Sequence, residues 1–143
     1  MHMPDILVSE FDFVRLKRLL DYEFNEELES ELMRADIIKC ILVPPSLVTM
    51  ESKVLYIDHT EKEEKESLLV FSRCPEGQDQ VISILSSIGT ALLGLEVGEK
   101  IDWLIDGRKK VLEVIGVNNQ PEASGYLHPL SFNNEFQQVN HLM

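Results

Sequence analysis
The stretch from Val81 to Ile101 constrains this chain more than any other. Val81-Ile82-Ser83-Ile84-Leu85 is a short apolar run rich in β-branched residues, the pattern of a strand with at least one buried face. Ser86 and Ser87 follow, and a serine oxygen there can accept an unpaired amide of the next turn, which predicts a short helix over Ile88 to Leu93. Gly94 ends that helix, because glycine takes the left-handed conformation without a Cβ penalty, and Leu95 can then fold back onto Leu92. Gly98 turns the chain into a further strand beginning near Ile101.

Upstream, Ser9 and Asp12 form a capping-box-like pair at the start of a helix. Phe13, Leu16, Leu19 and Leu20 recur at helical spacing, with Arg15, Lys17 and Arg18 on the remaining positions, so the helix reads as amphipathic. Asn25 can cap a second helix, striped by Leu28, Leu32, Ala35 and Ile38, whose first turns carry Glu26, Glu27, Glu29 and Glu31 where the helix dipole favours negative charge. A loop this short predicts an antiparallel helical hairpin over residues 9–38. Pro44-Pro45 then sets a boundary, since it removes two amide donors and keeps the preceding residue out of the helical region.

Beyond it, Val48 to Asp58 alternates loosely, His59 to Glu66 reads as a charged turn, and Ser67 to Ser72 as a strand. Arg73 to Asp79 is a loop by its Pro and Gly content. Ile101, Trp103 and Ile105 alternate, Asp106-Gly107 is a two-residue turn signal, and Val111 to Val117 returns as the last strand. The expected fold class is α+β: a short N-terminal antiparallel helical hairpin (residues 1–43), an antiparallel sheet with one short helix (44–126), and a frayed tail (127–143) in which Phe132 and Phe136 could dock.

At 143 residues the chain can bury a core, and 44% hydrophobic with 27% charged residues is ordinary for a globular protein. A formal net charge of -12 is not ordinary; it repels phosphate backbones and disfavours direct nucleic-acid binding. A basic protein partner fits better. Cys40 and Cys74 are too far apart for a metal knuckle or redox pair and read as free thiols, and His2, His59, His128 and His141 are scattered, so no metal site and no cofactor is expected. No apolar run spans a membrane and Met1 to Asp5 lacks the features of a signal peptide, which points to a cytoplasmic chain, taken as a monomer.

The segment Ile82 to Gly94 followed by Val97-Gly98-Glu99 resembles the C-terminal domain of the Gre transcript-cleavage factors, and Val48 to Val54 is similar to that domain's first strand. The opening Val8 to Leu16 and the ending Gln120-Pro121-Glu122-Ala123 with Gly125-Tyr126 resemble the Rnk subfamily. The resemblance implies an FKBP-like sheet domain, a regulatory link to nucleoside diphosphate kinase, and a partner, bacterial RNA polymerase, met near its secondary channel by the loop carrying Ser83, Leu85, Ser86, Ser87 and Ile88. Proline in many members stands where Ser87 is, and aspartate in some where Leu85 is. The hairpin tip carries Asp21, Glu23, Glu26 and Glu27, and the resemblance gives it a role in holding a metal ion in the polymerase active site, with Asp21 or Glu23 and Glu26 as oxygen ligands for Mg²⁺; the alternative is a solvated helix start. A helix of about twelve residues spans only ~18 Å, so this tip should stop short of the catalytic centre and the chain should compete with cleavage factors rather than cleave.

Two other readings stand beside this one. Ala91 to Lys100 is also similar to the segment before the last strands of FKBP prolyl isomerases, although the isomerase pattern after the glycine turn is missing; Trp103, Tyr56, Phe71 and Tyr126 are the aromatics available for such a pocket. Trp103 itself reads as a sheet core residue before a ligand platform. The third reading is an acidic interaction module whose partner is a basic protein other than polymerase.

Overall fold
The computed structural model describes residues 1–72 and 80–123. Cys74, the loop Arg73 to Asp79, Tyr126 and the tail from 127 onward lie outside these. Strand β1 (Leu7–Ser9) runs directly into helix α1 (Glu10–Tyr22), with Ser9 as cap: its Oγ accepts the Asp12 amide at 3.1 Å. Asp12 does not return a capping-box bond. Its carboxylate is buried and taken instead by Arg15 at 2.7 Å and by the Met50 amide at 2.9 Å. Arg15, expected on the wet face, is buried between the rings of Phe11 and Phe71, 4.1 and 4.4 Å from their centroids. A guanidinium can occupy such a site because it is planar, stacks on aromatic faces and here meets carboxylates.

Asn25 caps helix α2 (Glu26–Arg34) as its sequence position predicts, its Oδ1 accepting the Leu28 amide at 3.0 Å. The helix stops four residues before Ile38. Asp36–Ile38 is strand β2, paired in parallel with β1 in the register Leu7↔Asp36 to Ser9↔Ile38. Backbone groups of the extended β1 need partners, and the β-branched Ile37-Ile38 supplies them better as strand than as helix. A short 3-10 turn, Cys40–Leu42, leads to Pro44-Pro45.

Among the described residues the main sheet has five strands: β3 (Lys53–Asp58), β4 (Glu63–Val70), β5 (Val81–Ser83), β6 (Lys100–Ile105) and β7 (Arg108–Asn118), in the order β5-β4-β3-β7-β6. All neighbours are antiparallel except β4 and β5. A register shift between Leu55 and Tyr56 marks an irregularity against β7, a device that bends and twists a sheet. Three sequence boundaries move. Strand β3 starts at Lys53, because Thr49 to Ser52 makes a turn with Glu51 at φ +66°. The charged segment is a turn only as far as Lys62, and Glu63 to Glu66 are strand, exposed to water while their backbone pairs with β3. Strand β5 ends at Ser83, two residues earlier than its apolar run.

Helix α3 (Ser87–Leu92) follows, ended as predicted by Gly94 at φ +82°. A Cβ at Gly94 would lie 2.7 Å from the Ile6 Cβ, so glycine is needed for space as well as conformation. Asp106-Gly107 turns β6 into β7 with φ of +53° and +76°, the signs of a type I′ hairpin turn. Ile6, Val8, Leu16, Leu28 and Leu32 from the helical part and Val54, Leu69, Leu92, Trp103 and Val114 from the sheet part belong to one buried cluster. The architecture is mixed α+β: two N-terminal helices against a mostly antiparallel sheet with one short helix. Among the described residues no helix is long and apolar enough to cross a membrane.

Candidate docking surface
The loop between β5 and α3 is built by serines. Ser83 is 7% exposed: its Oγ accepts the Leu85 amide at 3.1 Å, and its carbonyl accepts both the Ser86 amide at 3.0 Å and the Ser86 hydroxyl at 2.7 Å. Ser86 in turn caps α3, its Oγ accepting from the Gly89 amide at 3.1 Å. Thr90 seals the far side by donating its hydroxyl to the Ile84 carbonyl at 2.8 Å. The tight turn requires glycine at position 89, where a Cβ would meet the Ser83 carbonyl oxygen at 2.1 Å. Of the five residues singled out from sequence, Ser83 is internal scaffold, Ser86 is exposed, and Leu85, Ser87 and Ile88 are half-buried, with Leu85 and Ile88 packed on the core.

The first turn of α2 is fastened to this loop. Asn25 Nδ2 donates to the Leu85 carbonyl at 2.9 Å while its Oδ1 caps the helix. Glu27 spreads its carboxylate between two donors, the Ser87 hydroxyl at 2.7 Å on Oε1 and the Trp103 indole N–H at 2.9 Å on Oε2. Trp103 is therefore both core residue and hydrogen-bond donor, only 6% exposed. The acidic tip is divided as a result. Asp21, Glu26 and Glu27 stand exposed and Glu23 is half-buried, while the Glu27 carboxylate is engaged by the loop. Among the described residues no group of three His, Cys, Asp or Glu side chains is placed to hold a metal ion. Cys40 is half-buried and unbridged, and burial pushes its thiol up.

A second polar group lies inside the chain, away from the loop. Arg15 bridges Asp12 and Glu51, the latter at 2.9 Å, and although burial works against its charge the two carboxylates raise its pKa. Glu122 accepts the Thr49 hydroxyl at 2.8 Å on one oxygen, while its other oxygen is buried without a partner. Burial, reinforced by the nearby Asp12 charge, raises Glu122 to about 7. Burial also pushes Asp12 up, against the pull of Arg15 and the Met50 amide. Gln120 closes the segment by donating to the Pro44 and Leu47 carbonyls at 2.8 and 2.7 Å. Sequence spacing does not reveal this cluster, because its members come from residues 12–15, 49–52 and 120–122.

A serine-built loop beside the mostly antiparallel sheet is fastened to the first turn of α2. Residues 43–119 match the family described as "Transcription elongation factor, GreA/GreB, C-term", and residues 4–38 match "Rnk N-terminus". The chain is 31% identical over 132 residues to the "Regulator of nucleoside diphosphate kinase" of Escherichia coli, covering 87% of this chain and 97% of that protein. It is 33% identical over 110 residues to the "Transcription elongation factor GreA" of Thermodesulfovibrio yellowstonii, covering 77% of this chain and 70% of that one. The solved structure "Prokaryotic transcription elongation factor GreA/GreB from Nitrosomonas europaea" superposes with a TM-score of 0.63 at 34% identity, covering 80% of this chain and 98% of that one. The chain belongs to the GreA/GreB family of transcription elongation factors, in the branch that carries the Rnk N-terminus.

Proposed function
We propose that this protein is a non-enzymatic regulator that docks on bacterial RNA polymerase near its secondary channel, through Leu85, Ser86, Ser87 and Ile88 on the Ser83 scaffold, and competes there with Gre cleavage factors. The observation that carries this reading is the placement of Glu27: an acid of the expected tip is engaged by Ser87 and Trp103 of its own chain. Reach supports the same conclusion. Helices of 13 and 9 residues span roughly 20 Å and 14 Å at about 1.5 Å per residue, which leaves Asp21, Glu23 and Glu26 short of a distant catalytic metal. We read the sheet with α3 as an FKBP-like domain and the helix pair as a short antiparallel hairpin, in a cytoplasmic monomer. The net charge of -12 favours a protein partner over direct contact with nucleic acid.

The name of the E. coli relative carries a link to nucleoside diphosphate kinase. We extend it to this chain as a consequence of altered transcription, since no residue described above forms a site for that enzyme. Prolyl isomerisation is disfavoured because Trp103, the one indole, is buried with its N–H engaged and gives no open aromatic floor.

The test is RNA cleavage by stalled, backtracked bacterial polymerase, with the protein added alone and then titrated against a limiting Gre factor. The expected result is no cleavage alone and dose-dependent inhibition of the Gre factor. Cleavage by the protein alone would return the acidic tip to a catalytic role, and absence of inhibition would favour an acidic interaction module with another basic partner.

A further inference from the structure
We infer that Asn25 and Glu27 are positioning residues that clamp the β5–α3 loop, so that the turn of the helix pair and the docking loop act as one rigid surface. This rests on the docking reading above and adds the device that holds the loop in its competent shape. Leu85 and Ser87 are fastened on either side of Ser86: the Leu85 carbonyl by Asn25 Nδ2 at 2.9 Å, and the Ser87 hydroxyl by Glu27 at 2.7 Å. Ser86 is thereby presented to solvent between two fixed points.

Both clamping residues are themselves held. The Asn25 side chain is oriented by its cap bond to the Leu28 amide at 3.0 Å, and Glu27 is oriented by the buried Trp103, whose indole N–H reaches its second oxygen at 2.9 Å. One carboxylate therefore joins α2, α3 and β6, and both of its bonds are charge-assisted, the stronger kind. The other hydrogen bonds of the loop run within it or to Val70 and Thr90, and of the hydrogen bonds named here only those of Asn25 and Glu27 tie it to α2. A loop pre-shaped in this way loses less conformational freedom when it binds.

The test uses the full chain and three variants: Glu27→Ala, which leaves the α2 cap intact, Asn25→Ala, and Glu27→Gln. Glutamine retains the geometry, because its carbonyl can accept from Trp103 and its amide can donate to the Ser87 oxygen. Two quantities are measured, competition with a Gre factor for bacterial RNA polymerase and acrylamide quenching of Trp103, the single tryptophan. We expect Glu27→Ala and Asn25→Ala to weaken competition by about tenfold, the equivalent of one or two lost hydrogen bonds. Quenching should rise in Glu27→Ala with little change in melting temperature, and Glu27→Gln should recover most of both. Competition by both alanine variants within about twofold of the unmodified chain would overturn the clamp and leave docking standing. Loss in Glu27→Gln as large as in Glu27→Ala would overturn it too, since charge rather than positioning would then be what matters. An unmodified chain that fails to compete at all would overturn the docking reading and the clamp together.

Discussion
Asp12 and Arg15 face each other one helical turn apart inside the protein, Oδ1 to Nη2 at 2.7 Å, with side chains 1% and 3% exposed. The pair ties α1 to the turn before β3 through Glu51 and the Met50 amide, and to the end of β4 through the Phe71 ring. Removing one partner strands a buried charge. Asp12→Ala should therefore lower unfolding free energy by about 3 kcal/mol or more, while the double change Asp12→Leu with Arg15→Met should cost much less than twice that. Urea denaturation followed through Trp103 measures both; equal or additive losses would mean that the pair is not coupled.

Stability should depend on pH through Glu122. Its folded carboxyl is raised to about 7 from an ordinary 4.5, so between these values the folded chain keeps a proton that the unfolded chain has released. The contribution is fully present below about pH 4.5 and falls as pH rises toward about 7. Glu122→Gln, which cannot ionise, should flatten this slope and gain on the order of 1 kcal/mol at pH 8 after allowance for solvent screening. Urea midpoints at pH 5, 6, 7 and 8 would show it, and a variant with the same slope as the parent would place the titration elsewhere.

Gly94 and Gly98 both adopt positive φ, at +82° and +94°, but only Gly94 is crowded. Gly98→Ala meets open space and should cost only the left-handed penalty of about 1 kcal/mol. Gly94→Ala must also push against Ile6 and the Leu7 carbonyl, 2.7 and 2.9 Å from the new carbon, and should cost about 3 kcal/mol. Equal midpoints for the two variants in urea would contradict this difference.

Ser86→Ala removes the cap of α3 and the hydroxyl bond to the Ser83 carbonyl. The cost should be about 1 kcal/mol, concentrated in the loop. Hydrogen exchange would register it as faster exchange of the Gly89 amide with the β3 and β7 amides unchanged. Uniform acceleration across the sheet would show that the loop and the sheet open together.

Features formed between residues three or four apart were legible from the sequence. Ser9 and Asn25 cap their helices, Ser86 caps α3, Gly94 stops it and Asp106-Gly107 turns the last hairpin, because each depends on a side-chain oxygen or a backbone conformation within its own short segment. The same local spacing misassigned Asp36 to Ile38 as helix and Glu63 to Glu66 as turn, since their strand state depends on β1 and β3, which no local pattern includes. Arg15 was placed in water by its charge, yet two rings and two carboxylates, drawn in part from distant segments, make the interior its site. Asn25 and Glu27 carried the signals of a helix start and an acidic tip; only tertiary packing brought them to Leu85, Ser87 and Trp103. Caps and turns are thus determined by neighbours along the chain, whereas the burial of a charge and the joining of helix to loop are decided by which distant groups the fold brings within hydrogen-bond distance.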